Sequence, residues 1–333
     1  PGLALLRAFL LAVDTLLIEL ARALAPLAGL TPSGKLDFAK LADIHRSVIE
    51  RLSTDGPEGP CDVPMDPAET YRLAYTGGTT GRPKGVILTL RTLQAQVTNY
   101  LLEHVPGIAR GDVMLHAAPV SHASGSYFLP HLVRGATSVL LPRFRTGEYL
   151  EALQRAGHGE GGSLRTFLVP TMMATLLEDP SIDDVAVPNL RQISYGASPI
   201  SPTTVQGCHR VFGRVLAQTF GQAEAPMTIT HLRPEEHDRV GSAGRPYTMV
   251  AVRVVDAEDR DVPVGGTGEI VCRGSIVSGG YWKRPDATAE TFRHGWLHTG
   301  DVGYVDDDGY VYLQDRRNDM IISGGFNVYP REV

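Results

Sequence analysis

"YTGGTTGRPKG", Tyr75 to Gly85, packs four glycines, three threonines and one lysine into eleven residues. Glycine reaches positive φ without a Cβ clash, so successive backbone N–H groups can converge there on an anion. Thr76, Thr79 and Thr80 add hydroxyl donors, and Lys84 adds a mobile positive charge suited to phosphate oxygens. Lysine is otherwise scarce: Lys35, Lys40, Lys84 and Lys283 are four of 31 basic residues. The composition fits a polyphosphate. It does not fit a Walker A loop, which needs Gly-Lys followed directly by Ser or Thr at a helix start. Here Pro83 precedes the lysine, Gly85 follows it, and "YRLAYT" (71–76) and "GVILTL" (85–90) read as flanking strands. The plain alternative is a β-hairpin loop, which needs neither the lysine nor the hydroxyls.

Outward from the loop, "RTLQAQVTNYLLEHV" (91–105) has helical spacing. The strand-like runs "DVMLHAAP", "TSVLLP", "RTFLVP" and "LRQISYG" then alternate with helical stretches such as 147–156 and 171–178. That alternation predicts an α/β domain with a largely parallel sheet. From about residue 240 the texture changes, and "AVRVVDA", "GEIVCRG" and "GYVYLQD" read as short antiparallel strands of a meander or small barrel. The acids Asp306, Asp307 and Asp308 before Gly309 read as a hairpin turn, since the alternate spacing and late glutamate of an EF-hand are missing. The Pro/Gly/Asp-rich stretch 53–70 reads as a connector.

The 333 residues suit one large domain or two ordinary ones, and a formal charge of −6 gives no basic field for nucleic acid. Cys61, Cys208 and Cys272 are odd in number and far apart, which argues for a reducing compartment and against a disulfide framework or structural zinc. Residues 3–30 are apolar, but Arg7, Asp14, Glu19 and Arg22 interrupt them, so they read as a buried or amphipathic helical segment rather than a membrane span.

Taken with four later blocks, the loop resembles the phosphate-loop signature of the adenylate-forming superfamily of acyl- and aryl-CoA synthetases, peptide-synthetase adenylation domains and luciferases. The blocks are "PVSHASG" (119–125), "YGASPIS" (195–201), "QTFGQAE" (218–224) and "GWLHTGDVGYVDDDGYVYLQDRRNDMI" (295–321), in the family's order. The resemblance covers roughly residues 70 to 333. It implies a large N-terminal α/β domain of layered sheets (1–235, shortened at its start), a small distorted antiparallel β-barrel (236–315), and a hinge opening a C-terminal lid (316–333). It also implies ATP and Mg2+ as cofactors and coenzyme A as co-substrate. The carboxylic acid would become an acyl adenylate with release of pyrophosphate, and then a thioester.

By the same resemblance, Thr76, Gly77, Gly78, Thr79, Thr80, Gly81 and Lys84 hold the β- and γ-phosphates, and Glu224 with Thr80 holds magnesium. Gly196, Ala197 and Ser198 line the adenine, and Phe220 stacks on it, where tyrosine is more usual. Gln218, Gly221, Gln222 and Ala223 complete the nucleotide side. Asp301 and Arg316 contact the ribose, and Asn318 sits at the hinge. His122, Ala123, Gly125, Tyr195, Gly196 and Ala225 face the acyl pocket; Thr80, Lys84, His122 and Glu224 are the catalytic set. Plainer readings stand beside these: an interior histidine for His122, a core aromatic for Phe220, a surface acid for Glu224. Ala223 departs from the family's threonine, an α-phosphate donor. Ala123 replaces the aspartate that pairs with an amino-acid substrate, which leaves fatty, aryl or other simple acids. The family's adenylating lysine lies past the last residue, so the sequence reads as a truncated synthetase. A cytoplasmic location, as in a bacterial cytosol, follows from the reading, and a homodimer is compatible with it. Two other readings remain: an enzyme loading a carrier-protein phosphopantetheine arm, and a catalytically degenerate nucleotide-binding module.

Overall fold

Five strands whose hydrophobic runs are separated by helical spacers build one half of a sheet. They are β3 (Val113–His116), β4 (Thr137–Leu140), β5 (Leu164–Leu168), β6 (Leu190–Gly196) and β7 (Leu216–Gln222). All pair in parallel in the order β4-β3-β5-β6-β7. Parallel neighbours need a crossover, and helices supply it. These are α2 (Phe128–Val133), α3 (Thr146–Gly157), α4 (Pro170–Leu177) and α5 (Pro202–Phe212), each between two successive strands. The computed structural model describes residues 66–76, 84–157, 162–316, 321–323 and 326–328. The segment 3–30, the glycine loop 77–83, Cys61 and Asn318 lie outside the described residues. From Pro67 onward the described residues belong to one compact unit.

The helix faces decide the packing. Leu150 and Leu153 of α3, Met173 and Leu176 of α4, and Cys208 of α5 meet Leu168, Ile193 and Leu216 of the strands in one buried cluster. On the other side α1 (Leu90–Asn99) starts at Thr89, whose hydroxyl accepts the Thr92 N–H, and its Ala95 packs with Ala225, Ile229 and Tyr247. With both faces covered, all five residues of β5 are buried.

Beyond β7 the direction reverses. β8 (Ala225–Leu232) is antiparallel to β7, and β9 (Ser242–Pro246) antiparallel to β8. β14 (Val311–Arg316), β13 (Trp296–Val305), β11 (Gly268–Arg273) and β10 (Ala251–Val255) extend the ladder outward from β9, all antiparallel, and the short β12 (Phe292–Arg293) pairs with β13 off this path. The expected antiparallel texture after residue 240 is therefore present. Its strands continue the parallel half through β8 and β9, as one open path of hydrogen bonds, and no pairing among the described residues closes them into a ring. The acidic turn is a hairpin turn: Asp306 Oδ1 accepts the N–H groups of Asp308 and Tyr310, and Arg239 bridges Asp306 and Asp308 at 3.0 and 2.5 Å.

β8 is the strand that the sequence pattern does not announce. Its residues are almost all buried, so it lacks polar-out alternation, and its polar side chains find partners inside. Asn99 donates to Thr228, Thr230 donates to the Ala243 carbonyl, and His231 stacks on Tyr247. Separately, β1 (Thr70–Thr76) and β2 (Lys84–Thr89) form an antiparallel hairpin with Thr76 opposite Lys84. The glycine loop thus joins two strands, and Lys84 heads a strand rather than a helix. Among the described residues no helix is long and apolar enough to cross a membrane.

One buried ion pair braces the sheet. Arg165 on β5 donates to Asp112 at 2.6 Å, with both side chains under a tenth exposed. Burial opposes ionisation of Asp112, but hydrogen bonds from the Ser163 N–H, Arg165 and the Ala109 N–H outweigh it and hold the carboxyl below its usual range. Asp112→Asn leaves the guanidinium unpaired and should cost about 3–5 kcal/mol. The wild-type contribution is complete above the ordinary carboxyl value of 3.8 and is lost as pH falls through the lower folded value. Urea unfolding carried from neutral pH into that acid window should show a steeper fall for the wild type than for Asp112→Asn.

Candidate active site

In a parallel sheet the carboxyl ends of the strands form one edge, where connections diverge and ligands bind. β3, β6 and β7 end there at His116, Gly196 and Gln222, so the blocks 119–125, 195–201 and 218–224 emerge at a common edge. Arg72 on β1 donates to the Ser121 carbonyl at 2.7 Å, which ties the glycine-loop hairpin to the first of these blocks. His116 Nδ1 and Ser124 Oγ, 2.9 Å apart, pin the same block from below.

Glu224 occupies the tip of this arrangement. Ala223 and Glu224 are the two-residue turn between β7 and β8, with Gln222 paired to Ala225. The Glu224 carbonyl accepts the Ser278 N–H at 2.8 Å. The segment from Ser278 then runs along β2: Gly279 N donates to Ile87 O, Ile87 N to Gly280 O, and Trp282 N to Gly85 O. Tyr281 Oη donates to Glu224 Oε1 at 2.6 Å, and Lys84 Nζ lies 4.5 Å from the centre of the Tyr281 ring. Burial, then the Glu224 hydrogen bond and charge, push the Tyr281 phenol well up, so it stays a donor. Glu224 Oε2 makes no hydrogen bond or ion pair with a described residue. A hard anionic oxygen of this kind is the ligand type that magnesium takes. Among the described residues no three acidic, histidine or cysteine side chains gather in a way that could hold a metal ion.

A second site element lies on β13. Glu269 of β11 accepts the Gly300 N–H at 3.1 Å through Oε1, and its Oε2 lies 3.1 Å from His298 Nδ1. These bonds hold the bulge in "HTGD", where Gly300 has φ of 73° and Asp301 N donates to Thr299 Oγ1. Asp301 stands opposite Arg316 in the β13–β14 register. Glu269 and Tyr281 are absent from the sequence reading. The only written trace of Tyr281 is the glycine pair before it, which lets the chain lie against β2.

Some expected residues are placed differently. Tyr195 is 1% exposed, and its hydroxyl bonds Gln218 Oε1 at 2.9 Å and meets His237 Nε2 at 3.1 Å. Strand alternation turns its side chain into the core, so only its backbone reaches the edge. Ala225 is fully buried beside Ile229 and Cys272 and offers no pocket surface. Gly125 is small for a local reason: a Cβ there would stand 1.8 Å from the Val120 carbonyl oxygen. Gly196 likewise lets β6 approach Thr219 O on β7, where a Cβ would come within 2.4 Å.

The remaining residues face the edge more freely. Ala197 has φ of 70° directly after β6, a strained backbone for a non-glycine residue and a feature common at binding sites. Ser198 is exposed beside it, and Gln222 is half-buried. Phe220 is half-buried against the Ala225 cluster. Ala223 packs its methyl against Val86, Leu88 and Tyr281. His122 is exposed, its Nδ1 2.9 Å from Ser121 Oγ, and Ala123 rests on the Tyr100–Tyr127–Phe167 cluster. Behind that cluster His104, in a π-helical turn, meets Tyr127 and Ser194 at 3.0 and 3.1 Å, and burial lowers its pKa to about 3. It is therefore neutral, a core residue rather than a cationic ligand.

The family model described as AMP-binding enzyme matches residues 15–282. The chain belongs to the AMP-binding enzyme family. It is 38% identical over 305 residues to a medium/long-chain-fatty-acid–CoA ligase, FadD8, of Mycobacterium tuberculosis, covering 90% of this chain and 52% of that one. It is 39% identical over 277 residues to a feruloyl-CoA synthase of an Amycolatopsis species, covering 82% and 55%. Among solved structures, the O-succinylbenzoate coenzyme A synthetase of Bacillus subtilis in complex with ATP and magnesium ion superposes with a TM-score of 0.75. That match has 30% identity and covers 90% of this chain and 61% of the other. The chain thus spans about half the length of the curated relatives it matches.

Gly221 is the tightest point in this family member's β7–β8 bulge: a Cβ would sit 2.5 Å from Met227 N and 2.7 Å from Ala225 O. Gly221→Ala should cost about 1–3 kcal/mol by overpacking. Thermal unfolding against the wild type checks this.

Proposed function

We propose that the full-length protein activates a fatty or aromatic carboxylic acid with ATP and transfers the acyl group to coenzyme A. The observation that carries the reading is Glu224, at the tip of the β7–β8 turn, with one carboxylate oxygen held by Tyr281 and the other without a partner among the described residues, close to the strand that Lys84 heads. Family membership and the acids named for the fatty-acyl and feruloyl relatives support it further.

A carboxylate is a poor electrophile because its leaving group would be oxide. Attack of its oxygen on the α-phosphate of ATP forms an acyl adenylate and expels pyrophosphate, and a thiol then displaces AMP. Two anions must meet, so the site has to neutralise phosphate charge and hold the reacting atoms in line. In this reading Thr76, Gly77, Gly78, Thr79, Thr80, Gly81 and Lys84 hold the pyrophosphate end. Gly196, Ala197, Ser198 and Phe220 enclose the adenine. Asp301 and Arg316, cross-strand partners on β13 and β14, hold the ribose, with Glu269 fixing the bulge beneath Asp301. His122 and Ala123 flank the acid. Glu224 and Thr80 would hold magnesium, which supplies charge neutralisation at the phosphates.

Residues 236–315 are taken as a β-rich subdomain, and 316–333, with Asn318 as hinge, as the opening of a lid. The need for ATP and coenzyme A argues for a cytoplasmic site of action. Ala223 puts a methyl where the family resemblance implies a threonine hydroxyl, so either another group donates to the α-phosphate or the rate is lower.

The test is exchange of labelled pyrophosphate into ATP by the full-length protein across a panel of acids. Exchange should appear only with a carboxylic acid present and should fall by roughly 100-fold in Glu224→Gln, the scale of a lost charge-stabilising contact. AMP release on adding coenzyme A identifies the acceptor. Exchange without that release favours a carrier-protein arm, and no exchange with any acid overturns the enzyme reading.

A further inference from the structure

Two opposite charges must work side by side in this site without neutralising each other. Resting on the reading above, we propose that Tyr281 is a positioning residue that separates Glu224 from Lys84, leaving the carboxylate free for a divalent cation and the ammonium free for phosphate. The hydroxyl of Tyr281 takes Glu224 Oε1 at 2.6 Å, and the face of the same ring takes Lys84 Nζ at 4.5 Å. Lys84 and Glu224 form no ion pair with each other, although both touch this one side chain. Without the ring between them, a lysine and a nearly buried glutamate that now share one neighbour would pair directly, because Coulomb attraction grows as water is excluded.

The ring is held firmly enough for the task. Tyr281 is 6% exposed, its backbone bridges Val86 on β2, and its N–H donates to Thr288 Oγ1 at 3.0 Å. Phe292 packs edge-on against it at 5.8 Å between centroids. Gly280 permits this approach: φ is 102°, and a Cβ would stand 2.6 Å from Thr288 Cγ2. The hydroxyl is a committed donor, so Glu224 Oε1 is engaged while Oε2 has no partner among the described residues. Hydrogen bonds of this kind orient a metal-binding carboxylate, and losing them costs roughly 10–100-fold in metal affinity.

The experiment measures ATP binding to the full-length protein by calorimetry, once with excess magnesium and once with chelator. The readout is the ratio of the two affinities. In Tyr281→Phe, which keeps the ring and removes the donor, the ratio should fall about tenfold while metal-free ATP affinity stays at the wild-type value. In a Glu224→Gln background the same substitution should change the ratio no further. Tyr281→Met, which removes the ring as well as the donor, should lower the ratio likewise and, by letting Lys84 pair with Glu224, lower the metal-free ATP affinity too; a wild-type ratio in it overturns the inference if Tyr281→Phe does not fold. An unchanged ratio in the folded variant overturns the inference, as does an equal fall in Trp282→Ala, a change at the half-exposed neighbour. A wild-type protein that binds no ATP overturns the functional reading itself, which separates the two failures.

Discussion

The hydrogen bond from Tyr281 to Glu224 joins stretches that the chain keeps far apart. Glu224 belongs to the turn where the sheet changes from parallel to antiparallel, and Tyr281 to a segment paired with the glycine-loop hairpin. A carboxylate this deeply placed tolerates its position only when it is hydrogen-bonded. Satisfying it draws the β2 strand, the 278–282 segment and the β7–β8 turn to one point. The remaining elements are arranged around that requirement. Gly221 allows the bulge that precedes the turn, Gly280 allows the tyrosine to approach, and Arg72 ties the hairpin to the His122 block.

The interior keeps its charge low and leaves the edge to carry it. His104, His116, His131 and His237 are buried, and burial lowers the pKa of each, to between about 3 and 4. They serve as neutral hydrogen-bond partners for hydroxyls and carbonyls rather than as cations. Asp112 and Arg165 are the contrasting case, a buried pair in which each neutralises the other. Of the charged groups at the carboxyl edge, Lys84 and Glu224 both touch Tyr281 without pairing with each other.

Much of the parallel half could be read directly, because β3, β5 and β6 are short apolar runs bounded by helical spacing and turn residues. The strands on either side of the glycine loop were legible too: Lys84 followed by glycine and a strand argues against a Walker geometry, and β1 and β2 pair as that reading expects. β8 was hidden because threonine and histidine fill positions that the fold buries and satisfies internally. Gly125 and Ala225, given to the acyl pocket by resemblance, have local reasons to be small: one avoids a backbone clash and the other fills a core. Tyr281 and Glu269 were invisible because their importance lies in cross-strand partners, which no local pattern records.

The central claim is that this edge brings a carboxylate oxygen onto the α-phosphate of ATP. An acid labelled with heavy oxygen in its carboxylate tests it most directly, using the full-length protein with ATP, magnesium and coenzyme A. If an acyl adenylate forms, the displaced AMP must carry one heavy oxygen from the acid, visible by mass spectrometry. Heavy oxygen found in inorganic phosphate, or AMP without the label, would contradict the account.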